Sequence, residues 1–183
     1  MKGSVNKPTF RIALCAAVAA LEIILMMIAG LTRLGTYAFP CFAGFLTIAV
    51  VIEYKCKWAF AVYAVAALLS FFLAADKEPA LMFTALFGYY PILKNILERR
   101  VKNRAVCWIV KFAVFNAAAV ASFFIATLLL SIPASEFTLF GVYVPLVFLG
   151  LGNAFFILYD LSINAYVRFY VQRLRGALFG RFL

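Results

Sequence analysis

Residues 94–104 read Lys94-Asn95-Ile96-Leu97-Glu98-Arg99-Arg100-Val101-Lys102-Asn103-Arg104, five cations and one acid in eleven positions. The chain is apolar on both sides of this stretch, over Ala80–Leu93 before it and from Ala105 to about Ile132 after it. Short connectors rich in Lys and Arg stay on the cytoplasmic side of a bilayer, so this one sets the orientation of its neighbours. Working outward, further apolar runs cover roughly 11–31, 37–52, 58–75 and 140–167. If each run crosses, the connectors alternate. Lys2, Lys7, Arg11, Lys55, Lys57, Lys94, Arg99, Arg100, Lys102, Arg104, Lys111, Arg168, Arg173, Arg175 and Arg181 then lie inside. Only Arg33 and Lys77, two of the 17 cations, lie outside. The sequence therefore predicts an all-α polytopic protein of the cell membrane, with six transmembrane helices and both termini cytoplasmic. Residues 1–183 form a single domain.

Composition agrees. A hydrophobic share of 67%, a mean hydropathy of +1.05 and a charged share of 13% do not suit a soluble domain of 183 residues. Six spans leave no room for a soluble domain, so any energy source would be another chain. The net charge of +10 follows the cytoplasmic face, where it meets anionic headgroups, and no nucleic-acid partner is expected. The first apolar run is too long for a signal-peptide core and no cleavable A-x-A segment follows it, so it is expected to remain as a span. Cys15, Cys41, Cys56 and Cys107 show no metal spacing and read as small packing residues. The absence of histidine removes HExxH metalloproteases and Ser–His proteases. GxSxG, P-loop and paired-aspartate motifs are also missing. No catalytic residue, metal or cofactor is expected, and the chain is not read as an enzyme.

Span 4 is short and contains Gly88-Tyr89-Tyr90-Pro91. Either the helix runs on through Glu98 with Lys94 snorkelling, or it is broken at Gly88–Pro91; a simple proline kink near the inner interface is the plainer expectation. Span 6 fits 140–159 or a register nearer 146–167, and the second, slightly preferred, buries Asp160. The tail from Arg168 to Leu183 mixes Arg173, Arg175 and Arg181 with Phe169, Leu174, Leu178 and Phe182, as a basic amphipathic segment on the cytoplasmic surface would.

Polar groups inside the spans are costly and mark candidate sites. They are Glu22 in span 1, Lys111 and Asn116 in span 5, and Asn153, Asp160 and Asn164 in span 6. Offsets of 7 and 11 place the last three on one helical stripe. Interhelical hydrogen bonding is the structural alternative for the asparagines, and pairing with Lys111 or Arg168 for Glu22 and Asp160. On span 1, Ala13, Ala16, Ala17 and Ala20 share one face, and Glu22 lies roughly 140–180° from Ala13, Ala17 and Ala20. Small residues let another helix approach closely. At the outer end, Arg33 is placed to meet an anionic ligand group or a lipid phosphate.

These features resemble the substrate-binding S component of an energy-coupling-factor vitamin transporter. The likeness lies in six spans with both termini inside, a length near 180 residues, a basic cytoplasmic face, and the Ala13-Leu14-Cys15-Ala16-Ala17 run, which fits the A-x-x-x-A pattern of that family's first helix. The resemblance implies capture of a small molecule from outside by Arg33, Tyr37, Asn116, Tyr143 and Asn153. It also implies docking through Ala13, Ala16, Ala17 and Ala20 on a transmembrane coupling subunit driven by cytoplasmic ATPases. Two rivals stand beside it. One is a small secondary transporter with Glu22 as the ion-coupling carboxylate and Asp160 as a relay. The other is a non-transporting scaffold whose basic loop and tail hold membrane lipid or a cytoplasmic partner.

Overall fold

Helix α1 spans Pro8–Thr32, with its proline in the first turn, where a missing backbone donor costs nothing. Its buried residues are Cys15, Val18, Ala19, Glu22, Met26, Ala29 and Gly30, a stripe at the three- and four-residue spacing of one helix face. The computed structural model describes residues 8–32, 35–130, 138–139 and 142–176.

Helix α2, Ala38–Leu73, has 36 residues and one interruption, Lys55 at φ 68° and ψ 173°. This backbone region is almost exclusive to glycine. The contacts on either side show that the chain reverses there. Glu22 meets Thr47 across an antiparallel pairing with the first limb. On the second limb, Trp58 lies under Arg11 of α1, 4.2 Å from ring centroid to guanidinium. A Cβ on Gly30 would come within 2.9 Å of the Asp76 backbone nitrogen just past that limb. The second limb therefore runs parallel to α1, and Ala43 and Ala66 meet Met26 in one buried cluster.

Asp76 caps the next helix, α3 (Lys77–Met82), by accepting from the Glu78 backbone at 3.0 Å. A π-turn follows over Phe83–Phe87, then a bend at 88–89, then α4 over Tyr90–Arg100 with proline in its first turn. The fourth apolar run is thus neither continuous nor simply kinked at Pro91. The wider turn releases backbone carbonyls, and two tyrosines take them up: Tyr63 donates to Thr84 O at 2.7 Å and Tyr159 to Phe87 O at 3.2 Å. Phe87 O also lies where only a glycine, Gly44, lets the first limb approach so closely.

Helix α5 spans Arg104–Leu130, and α6 spans Val144–Phe169 after a two-residue antiparallel ladder, β1 (Thr138–Leu139) on β2 (Val142–Tyr143). The range of α6 matches the register that buries Asp160, which is 1% exposed. The chain continues from α6 into a π-turn over Tyr170–Leu174. There Arg175 lies 2.9 Å from Glu53, so the start of the tail is tied to the Lys55 end of the first α2 limb. Residues 177–183, with Leu178, Arg181 and Phe182 of the expected amphipathic tail, lie outside the described residues.

Apart from short connectors and the two-residue ladder, the described residues are helical. Among the described residues, four helical segments, over 8–32, 38–73, 77–100 and 104–125, are long and apolar enough to cross a membrane. Burial is inverted relative to a soluble protein. Leu128, Phe72 and Leu31 are 82%, 75% and 72% exposed, whereas Glu22, Thr47, Ser70, Lys94, Lys111, Ser122 and Asp160 are buried. An apolar exterior around a polar interior is stable where the surrounding solvent is hydrocarbon.

Candidate functional site

Three polar centres lie inside the bundle. The largest is built on Asp160 of α6, whose Oδ1 receives Lys94 Nζ at 2.6 Å, Lys111 Nζ at 3.0 Å and the Tyr90 hydroxyl. Glu98 completes it, 3.1 Å from Lys94 and 2.7 Å from Lys111. Helix α4 brings Tyr90, Lys94 and Glu98 to this point because they are four residues apart on one face. Two buried ammonium groups face the buried Asp160 and the half-exposed Glu98, so the charges of the cluster cancel. The sequence offered Lys111 or Arg168 as partners for Asp160. Lys111 pairs with it, whereas Arg168 donates to the Asn164 carbonyl at 3.3 Å. Lys94 and Tyr90 were not anticipated as partners, because their approach depends on the π-turn that sets the rotation of α4.

The second centre is the Asn116–Asn153 pair, which joins α5 to α6. Asn116 Nδ2 donates to Asn153 Oδ1 at 2.8 Å, and Asn153 Nδ2 returns the bond to Asn116 Oδ1 at 2.9 Å. The remaining donor of each amide bonds its own helix, at Phe112 O and Leu149 O. Both side chains have thus spent both donors inside the protein. The two residues read as ligand contacts meet each other, as the interhelical alternative describes.

The third centre is Glu22, fully buried. Thr47 donates to its Oε1 at 2.8 Å, and its Oε2 has no hydrogen-bond partner among the described residues. Leaving one carboxylate oxygen bare in an apolar interior is costly, and a proton or a cation on that oxygen removes the cost. Neither Lys111 nor Arg168 pairs with Glu22; both have the partners given above. Among the described residues no group of three or more His, Cys, Asp or Glu side chains is placed to hold a metal ion.

Compared with protein-family models, curated proteins and solved structures, the chain matches none. Its own geometry carries the functional argument.

The remaining predicted site residues are dispersed. Tyr37 lies at the end of the bundle bearing Glu78 and donates to Glu78 Oε1 at 3.1 Å. Partial burial, together with the Glu78 charge, raises the Tyr37 phenol above its usual pKa. Arg33 lies outside the described residues, and Tyr143 is placed in β2 by its backbone. Asn164 sits one turn beyond Asp160 and lines a cavity at the basic end of the bundle. Ala13, Ala16, Ala17 and Ala20 are all exposed on α1, opposite its buried stripe.

Proposed function

We propose that the chain crosses the bilayer six times, with both termini in the cytoplasm, and serves as the substrate-binding subunit of an energy-coupling-factor type importer. The six crossings are α1, the two limbs of α2, the interrupted 77–100 segment, α5 and α6. The observation that carries the functional reading is the division of α1 into two faces. Ala13, Ala16, Ala17 and Ala20 are exposed along one side, and Glu22 is fully buried on the other. A helix with small residues outward and a carboxylate inward is suited to pack against another membrane subunit while contributing to its own bundle. The solute site lies at the outer end, beside Tyr37, with the Asn116–Asn153 pair beneath it.

The test is assembly and binding measured on one variant. Ala16→Trp, which places a large ring on the exposed face, should block association with a coupling subunit and leave solute affinity unchanged. Loss of binding with normal assembly would overturn the face assignment. Native mass spectrometry of gently extracted protein reports bound solute and partner subunits together, and finding neither would overturn the importer reading.

The bare Oε2 of Glu22 favours a second reading, in which the chain is a secondary transporter that loads and unloads a proton or cation there. Solute-dependent proton uptake by the purified protein alone in proteoliposomes, lost in Glu22→Gln, would select it over the importer subunit.

A further inference from the structure

The cavity of about 530 Å³ between the first limb of α2, α4 and α6 has a graded lining. Its deep part is Ile48, Val51, Pro91 and Ile163. Its mouth carries Asn95, Glu98, Arg99, Asn164 and Arg168. On α4 and α6 the apolar Pro91 and Ile163 lie toward the middle of the bundle and Asn95, Arg99, Asn164 and Arg168 toward the end that holds the α4–α5 connector, while the α2 limb contributes only the apolar Ile48, Val51 and Ile52. From Pro91 to Arg99 the helix rises about 12 Å, which spans a headgroup and several methylene groups.

The charge at the mouth is uncompensated. Lys94 and Glu98 belong to the closed network with Lys111 and Asp160, which sums to zero. Arg99 and Arg168 remain, both exposed, and neither pairs with a carboxylate among the described residues. One further polar group is unmet: the Oδ1 of Asn95 is buried without a hydrogen-bond partner among the described residues. A site with two guanidinium groups that meet no carboxylate among the described residues, an acceptor awaiting a donor and an aliphatic floor asks for a phosphate, a hydroxyl and a hydrocarbon chain in one molecule.

We infer that this cavity is a binding site for an anionic phospholipid of the cytoplasmic leaflet, with its phosphate between Arg99 and Arg168, a headgroup hydroxyl on Asn95, and an acyl chain along Ile48, Val51 and Ile163. The site is independent of any imported solute. It requires only that the basic end of the bundle meets a membrane interface. Wedged between three helices, the lipid would fix the spacing of α4 and α6 and thereby the geometry around Asp160.

The full-length protein in detergent, supplied with equal amounts of phosphatidylglycerol and phosphatidylcholine, provides the test by native mass spectrometry. One phosphatidylglycerol should be retained per chain, with a preference on the order of tenfold over phosphatidylcholine. The Arg99→Gln/Arg168→Gln double variant should lose that preference while keeping its melting temperature in phosphatidylcholine nanodiscs, since both side chains are exposed. Ile163→Leu/Val51→Phe, which fills the floor and leaves the charges, should reduce retention of phosphatidylglycerol. Equal retention of the two lipids by the wild type, or an undiminished preference in the double variant, would overturn the site. Displacement of the lipid by millimolar inorganic phosphate would show that only a free anion is recognised and would overturn it as well.

Discussion

At Asp160, one carboxylate oxygen takes donors from Tyr90, Lys94 and Lys111 in a buried setting. Such a cluster is sensitive to the loss of a single member, because the charges left behind stay buried without compensation. Asp160→Asn should cost about 3–5 kcal/mol of stability. Adding Lys94→Met should restore part of that loss, since Lys111 and Glu98 then remain as a neutral pair. Thermal melting of the two single variants and the double in the same detergent checks this; additive losses would show that the groups act separately. The asparagine pair behaves differently, because interhelical bonds between neutral groups in membranes contribute roughly 0.6 kcal/mol on average and at most about 1.7. Asn116→Leu and Asn153→Leu should each cost about 1 kcal/mol, and the double no more than either alone, because the pair is already broken. A solute affinity that falls more than tenfold in either variant would place a ligand on the amides after all.

At the scale of the elements, backbone conformation sets two outcomes. Lys55 holds a φ of 68° where an L side chain is strained, and the strain persists because the two limbs pack on α1 along their length. Lys55→Gly should therefore raise the melting temperature, a gain of about 1 kcal/mol or more, whereas Lys55→Pro cannot adopt the turn and should fail to reach the membrane. At Gly44 an added methyl meets both the Tyr159 hydroxyl and the Phe87 carbonyl, which is backbone and cannot turn away. Gly44→Ala should cost about 1–3 kcal/mol, read by melting, and Tyr159→Phe should relieve part of it. These details show where the sequence stops being informative. The apolar runs and the charges between them are local signals, and helix ends fall within a few residues of them. Gly88 and Pro91 mark where the fourth run is interrupted. The π-turn itself depends on Tyr63 and Tyr159, which are 21 and 72 residues from the carbonyls they satisfy, and no local pattern reports that. The same holds for Asp160: its stripe was legible, but its choice of Lys94 required the rotation of α4.

For the whole molecule, the inverted burial suits a bilayer, and the proposed orientation in it rests on the arrangement of the cations. The turn at Asp76–Lys77 packs on the Gly30 end of α1, while the short 101–103 connector follows α4 at the opposite end of the bundle. In the proposed orientation the positive-inside bias holds the cations at the α4–α5 junction, Arg99, Arg100, Lys102 and Arg104, in the cytoplasm and leaves the sparsely charged Lys77 turn outside. The four cysteines are free, so a cysteine-less background needs no disulfide to be broken, and alanine suits the buried Cys15 and Cys107. On that background, Lys77→Cys in intact cells should react with a membrane-impermeant maleimide, and Lys102→Cys should react only after permeabilisation. Both positions are exposed, so an unreactive thiol reports the membrane and not local burial. The reverse pattern would invert the chain and move Tyr37, Glu78 and the proposed solute site to the cytoplasm. Labelling of both from outside would remove one crossing between them. The 77–100 segment, interrupted by its π-turn, is the proposed crossing most exposed to that outcome, because its apolar run over 80–93 is the shortest.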